Sequence, residues 1–387
     1  MASAGIDAIY FEEEDSAWSA WCRSIDHGAI FLCALLFAVG VVLAFAASPA
    51  LALRNDLPAF HYAWRQLWFG APAFMLLFTL SFLSATGVRT IGALAFLAGV
   101  AALGALPFIG ESHGKEAVRW LSISGVSVQP TEILKPGLVI VSALLLCGLR
   151  HPDRSIALGG GVASFLCLSV AIGLLSLQPD FGQCALLIAV WSAMFFLAGG
   201  SWFILAALGG LAALGGAVAY AAAPHFAARI DNFIDPLGSG QSQIQAAEAA
   251  IVNGGWFGRG LGEGVEKQAL PDAHSDFILA VAAEEYGFAM VALVVAAFTA
   301  LVLRAASRLW RSDSDFARLA GIGLALLIGL LAAVNIAVSA QMAPITGMTL
   351  PFISYGGTSL LASAASMGLL LALTRRRPRD ISRLFDR

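Results

Sequence analysis

Leu270-Pro271-Asp272-Ala273-His274-Ser275-Asp276-Phe277 closes a polar, glycine-rich segment and runs directly into a mostly apolar stretch over 276–303. At about 1.5 Å per helical residue, that stretch is long enough to cross a hydrocarbon core of about 30 Å. A carboxylate, Asp276, therefore stands where water meets lipid. An ionisable group at such a boundary is a candidate functional group, because holding charge near hydrocarbon costs free energy. Its plain structural reading is a helix cap, since the unpaired amides of a helix start accept a carboxylate and favour its ionised form. Glu284 and Glu285 follow about 12–14 Å deeper along the same helix, a depth that predicts pairing inside a bundle.

The rest of the chain repeats this pattern. Of 387 residues, 59% are hydrophobic and 12% charged, and the mean hydropathy is +0.82. These values exclude a soluble globule and indicate an all-α polytopic membrane protein. Apolar stretches of bilayer length fall near 28–47, 66–84, 90–110, 132–149, 156–177, 181–199, 201–223, 276–303, 318–341 and 355–374. The expected fold is one bundle of about ten transmembrane helices, with a large extracytoplasmic loop, 224–275, between spans seven and eight.

Lys and Arg set the orientation. With a cytoplasmic amino terminus, 14 of the 22 basic residues fall on the cytoplasmic side, among them Arg304, Arg308, Arg311 and the tail run Arg375-Arg376-Arg377-Pro378-Arg379. The other eight are spread over much longer outer loops, as the positive-inside rule requires. The organisation is then a cytoplasmic tail over 1–27, a ten-span membrane domain over 28–374 and a basic cytoplasmic tail over 375–387. The first tail is acidic and lacks the basic region and small-residue cleavage site of a secretory signal, so no cleavage is expected. Trp18 and Trp21 are placed at the headgroup level. Five cysteines without metal-like spacing read as small hydrophobes. A net charge of −3 and the lack of a basic stripe interleaved with aromatics give no case for nucleic acid; the arginine tail reads as a contact with anionic membrane lipid.

Two outer loops, 111–131 and 224–275, are too long and polar to be simple turns and are candidate walls of an outward-facing site. In the first, Pro130 bars its predecessor from the helix and Thr131 can cap the helix that follows. Glu132 and Lys135 lie three apart on one helical face, either as a local ion pair or with the lysine held for a phosphate. In the second, Asn253-Gly254-Gly255-Trp256-Phe257-Gly258-Arg259-Gly260-Leu261-Gly262-Glu263-Gly264 superficially contains a spaced-glycine fingerprint. With no βαβ unit possible, a dinucleotide site is not expected. What remains is a tight re-entrant turn or a nest of amides that accepts phosphate. Between spans nine and ten, the prolines and glycines of 343–359 break the helix at membrane depth, which is tolerated only where the backbone is buried in protein or lines a cavity.

Four sets of residues together resemble the SEDS (shape, elongation, division, sporulation) family: Arg119-Trp120 with Gln129 to Lys135; Gln178-Pro179-Asp180-Phe181-Gly182; Leu270 to Phe277 with Glu284-Glu285; and Leu350 to Ser359. The resemblance covers almost the whole chain and is strongest to the cell-division branch, with the elongation branch as the near alternative. Ser275 stands where the family usually has threonine, and Ser242 where a tyrosine is common.

What the resemblance implies is a peptidoglycan glycosyltransferase of the bacterial cytoplasmic membrane, located at the division septum, that polymerises lipid II on the outer face. Implied partners are a class B penicillin-binding protein that crosslinks the glycan and other membrane proteins of the divisome. The family's essential aspartate falls on Asp276, the catalytic base. A departing pyrophosphate needs positive charge, for which the outer-side candidates are Arg119, Lys135, Lys267 and Arg229. Trp120, Gln129, Glu132, His274, Ser275, Ser354, Tyr355, Gly356 and Gly357 are the implied lining. No metal site and no cofactor are assigned, although Asp276 could itself hold a divalent cation. The competing readings are a lipid II transporter, in which Asp276 would gate a pathway, and a non-catalytic division scaffold acting through its tails.

Overall fold

The computed structural model describes residues 17–110, 118–123, 126–150, 154–235, 242–270 and 273–375. In chain order the elements are α1 Ala17–Ser24, α2 His27–Arg54, α3 His61–Ser81, α4 Ala85–Ile109, β1 Leu121–Ile123, β2 Val126–Val128, α5 Pro130–Leu146, α6 Arg154–Ser176, α7 Phe181–Leu197, α8 Trp202–Ala222, α9 Pro224–Ile234, α10 Ser242–Gly254, α11 Ile278–Leu309, α12 Asp315–Ser339 and α13 Gly357–Thr374. Each of the ten apolar stretches has its helix. Among the described residues, eight helices are long and apolar enough to cross a membrane; α7 is apolar but shorter, and α3 carries Arg65 and the buried Gln66. Most residues of the arginine tail, 376–387, lie outside the described residues, as does the acidic stretch of the first tail.

Local chemistry sets the helix ends. The Ser84 hydroxyl accepts from the Gly87 amide at 3.0 Å to start α4, and that of Ser314 accepts from Ala317 at 3.3 Å to start α12. Pro130 is the first residue of α5, with Gln129 as N-cap; Thr131 is therefore inside the helix and does not cap it. The short antiparallel hairpin, with Leu121 opposite Val128, was not expected from the sequence, nor were α9 and α10, which lie within the stretch read as loop. At the amino-terminal end of α2, Asp26 caps the helix and is clamped by Arg304 at 2.6 Å and Arg308 at 2.8 Å. Trp18 is exposed, as an anchor must be, but Trp21 is a core residue. Its ring stacks 4.8 Å from Phe82 and its indole N–H donates to Ser81.

The bundle centre is formed by α5, α12 and α13, with α4 packed on α5, α3 on α13 and α11 on α12. The glycine-rich segment folds back onto α11. Gly287 interrupts that helix with φ 74° and ψ −175°. At this kink the Phe288 amide donates to the Gly255 carbonyl at 2.9 Å, while the Arg259 and Gly260 amides donate to the Glu284 and Glu285 carbonyls at 2.9 and 3.1 Å. The turn reading therefore holds for this segment, and these two amides are spent on helix carbonyls rather than on a phosphate nest. A Cβ on Gly287 would lie 2.4 Å from the Trp256 carbonyl oxygen, and one on Gly258 2.1 Å from that of Glu285.

Glu284 and Glu285 complete the join. The Glu284 carboxylate accepts the amides of Val265, Glu266 and Lys267 at 2.7, 2.8 and 3.1 Å. Glu285 pairs with the Lys267 ammonium. Both glutamates are buried, and both act inside the bundle.

Two outcomes follow for stability. Gly287→Ala, forced into the left-handed region against a backbone carbonyl, is expected to cost about 2 kcal/mol or more and to lower the thermal midpoint of the detergent-solubilised protein. Lys267→Met strands a buried carboxylate and is expected to cost about 3–5 kcal/mol. The double variant Lys267→Met/Glu285→Leu should recover most of that loss, and a midpoint no higher than that of the single variant would refute the pairing.

Candidate active site

Asp276 lies in the turn 273–277 between the folded-back segment and α11, and it is buried. The N-cap of α11 is Phe277, with no side-chain cap bond, so the capping role expected for Asp276 is not the one observed. The backbone around it is fixed residue by residue. The His274 carbonyl accepts from the Tyr355 amide at 2.9 Å, and the Ser275 carbonyl accepts from the Ser354 hydroxyl at 2.6 Å. The Asp276 carbonyl accepts from Asn335 Nδ2 and Ser339 Oγ, each at 3.3 Å. Asn335 Nδ2 also donates to the Met348 carbonyl at 2.8 Å. One amide group in α12 thus ties the Asp276 turn to the non-helical segment before α13.

That second segment supplies much of the expected lining. Ser354 is buried, and its hydroxyl also accepts from the Leu350 amide at 2.9 Å. The His274 ring lies 5.6 Å from both Tyr62 and Tyr355, and those two tyrosines are 5.2 Å apart. Arg65 places its guanidinium 5.9 Å from the Tyr355 ring. Gly356 and Gly357 lead into α13, where the Thr358 hydroxyl donates to the Ser127 carbonyl at 3.0 Å. The hairpin is thereby drawn to this end of the bundle, with Trp120 half-buried just before it and Gln129 just after.

The cations separate into two groups. Arg119 holds the turn before α7, donating to the Gln178 and Pro179 carbonyls at 3.3 and 2.8 Å, and comes within 3.9 Å of the Asp180 carboxylate. Burial pushes the Asp180 carboxyl above its usual range, while Arg119, Lys135 and Arg229 pull it back down. Arg229, on α9, is lowered chiefly by burial and then by Arg119, against the opposing fields of Asp180 and Asp276. Arg119 is thus in contact with Asp180, Lys135 and Arg229 lie within electrostatic reach of it, and Arg229 lies within electrostatic reach of Asp276 as well. Lys135 is buried and bonded to Glu132 at 2.6 Å. Lys267 does not join this cluster, because its ammonium is paired with Glu285 deeper along α11. Among the described residues no three His, Cys, Asp or Glu side chains converge, so a divalent ion at Asp276 would need substrate phosphate or water for its other ligands.

Sequence reasoning did not select Asn335, Ser339, Tyr62, Arg65 or Asp180 for the site. Asn335 carried a usable signal, as an amide inside an otherwise apolar span. Asp180 lay in a quoted motif without an assigned role. Nothing local marked Tyr62 or Arg65 beyond their place at a membrane edge.

Comparisons with known proteins agree with this geometry. A family model described as "Cell cycle protein", FtsW/RodA/SpoVE, matches residues 27–378. A probable peptidoglycan glycosyltransferase FtsW of Caulobacter vibrioides is 38% identical over 379 residues, covering 98% of this chain and 96% of that protein. One of the same description from Thioalkalivibrio is 36% identical, covering 91% and 90%. Among solved structures, a chain from work described as "Structural coordination of polymerization and crosslinking by a peptidoglycan synthase complex" superposes with a TM-score of 0.75 at 28% identity, covering 92% of this chain and 99% of that one. The rod shape determining protein RodA of Thermus thermophilus gives 0.65 at 26% identity, covering 90% and 96%. The protein is thus a polytopic membrane protein that belongs to the FtsW/RodA/SpoVE family of cell cycle proteins, the SEDS family its motifs resemble.

Proposed function

We propose that this chain is the peptidoglycan glycosyltransferase that polymerises lipid II at the outer face of the cytoplasmic membrane during septal wall synthesis, with both of its termini in the cytoplasm. The observation that carries this reading is the buried Asp276, with its turn held by Tyr355, Ser354, Asn335 and Ser339 and with Arg229 in electrostatic reach. The relatives' descriptions support the same reaction.

In this reading the Asp276 carboxylate takes the proton of the attacking sugar hydroxyl. The new bond forms from that oxygen to the anomeric carbon of the donor sugar as the bond to pyrophosphate breaks, and the electron pair leaves with the pyrophosphate. A base held in place loses less to reorientation than a mobile one. Arg229 has the strongest claim to steady the leaving charge, since it answers to Asp276. Arg119 acts by holding the turn that carries Asp180. Lys135, bonded to Glu132, contributes through its field more than by contact. Lys267 secures the folded-back segment. His274, Tyr355 and Tyr62 form an aromatic wall of the kind on which sugar rings pack. The kinship with a chain from a polymerising and crosslinking complex supports a crosslinking transpeptidase of the penicillin-binding class as partner.

Glycan formation from lipid II by the purified protein, with and without that partner, tests the reading. Asp276→Asn keeps the size of the side chain but removes the base, so polymer yield is expected to fall by at least about a hundredfold at an unchanged thermal midpoint. Normal synthesis by this variant would refute the catalytic assignment. Asn335→Leu loosens the turn without touching the carboxylate, and turnover is expected to fall about ten- to a hundredfold with little change in KM. An equal rise in KM with turnover preserved would instead place Asn335 in substrate binding.

A further inference from the structure

A groove of about 750 Å³ opens between α2 and the folded-back segment. Its long side is apolar, formed by Val42, Phe45, Pro49 and Leu53 of α2, and Leu261 faces them. Val42, Leu53 and Leu261 are all exposed, so the groove is open to whatever surrounds the bundle. From Val42 to Arg54 the helix rises about 18 Å, close to the depth of one bilayer leaflet, about 15 Å. Its volume falls within the range of about 300–1,000 Å³ usual for sites that bury a ligand.

Charge is distributed unevenly along it. Lys267 and Glu285 also line the groove, but as a buried ion pair they present no net charge to an apolar chain. Arg54 stands at the C-terminal end of α2, exposed, with its guanidinium bonded to the Gln268 carbonyl. Among the described residues no carboxylate pairs with Arg54, which leaves a cation at one end of an apolar channel. That end adjoins the active site. Asn55, the next residue, donates to the Tyr62 hydroxyl at 2.9 Å, and Tyr62 packs on His274, two residues before Asp276.

We infer that this groove holds the polyprenyl chain of the acceptor, the lipid-linked sugar whose hydroxyl attacks, with the chain along α2 and its own pyrophosphate at Arg54, so that the sugar extends over Tyr62 and His274 to the Asp276 base while the donor's departing pyrophosphate falls to Arg229. The inference rests on the polymerase reading. An apolar wall of leaflet depth suits the chain, the cation suits the phosphate, and continuity with the Asp276 turn favours substrate over a bulk phospholipid, which would have no reason to sit at this one edge.

The test compares lipid II bearing a long polyprenyl chain with lipid II bearing a short one, using the full-length protein. Val42→Trp and Leu261→Trp fill the groove from exposed positions, where a larger side chain needs no repacking. Each is expected to raise KM for the long-chain substrate on the order of tenfold through lost chain burial. Turnover of the short-chain substrate should stay at the wild-type value, which also shows that the variants fold. Arg54→Ala should raise KM for both substrates. If the tryptophan variants leave the long-chain KM unchanged, or raise it equally for both chains, the groove is not the chain's site. A wild type inactive on both substrates would overturn the polymerase reading itself, and this inference with it.

Discussion

Backbone that leaves the helix at membrane depth must find partners for its amides and carbonyls inside the protein, because lipid offers none. Two segments of this chain do so, residues 255–270 with 273–277 and residues 340–356, and each solves part of the other's problem. The second donates to the first through the Tyr355 amide and the Ser354 hydroxyl. Asn335 serves both with one amide group. Deeper down, Glu284 gathers three amides of the first segment, while the kink at Gly287 frees helix groups to bond it. The rigidity of the Asp276 turn is thus a by-product of satisfying backbone in an apolar medium. Precise placement of the carboxylate and tolerance of broken helices have the same cause.

Charge follows a similar logic. Three cations toward the Asp276 end of the bundle each have an anion or a carbonyl within reach: Lys135 has Glu132, Lys267 has Glu285, Arg119 has the Gln178 and Pro179 carbonyls with Asp180 nearby. The difference lies in what remains. The Lys267–Glu285 pair balances itself and so belongs to the scaffold. Asp180 feels the fields of three cations, and one of them, Arg229, is shared with Asp276. With Glu132 on Lys135 the formal charges of this cluster also balance, but Arg229 is shared between two carboxylates instead of closing on one, and a shared cation can turn to an anionic substrate at little reorganisation cost.

The sequence made the apolar spans legible because hydrocarbon thickness imposes a length, and it made Asp276 legible because a carboxylate at that boundary has few idle roles. The re-entrant fold of the glycine-rich segment was legible as one of two options, for glycine spacing reports close backbone approach without saying to what. Here the partner is the backbone of α11, where Gly258 meets the Glu285 carbonyl; in a dinucleotide site it would be a pyrophosphate. Asn335 and Ser339 were hidden for another reason. A polar residue on an apolar helix declares that it has a partner, but the partner these two share is the Asp276 carbonyl, some sixty residues back in the chain, and carbonyls carry no sequence signal.

The clearest case of a functional placement unreadable from sequence is Arg229. It lies in a stretch that reads as loop, following α8, an apolar helix that is mostly exposed and meets the rest of the bundle along one line through Leu205, Leu208 and Ala219. A helix apolar all round satisfies lipid and places no demand on its neighbours, so α8 gives no instruction about where the next element should go. That instruction comes from α9 itself. The Phe226 ring meets Phe181 at 4.8 Å at the head of α7, directly after Asp180, and three residues later Arg229 answers to the carboxylates of Asp180 and Asp276. One aromatic contact and one shared cation therefore join two turns some ninety-six residues apart in the chain, and the electrostatics of the site are settled by an element that the membrane pattern does not encode.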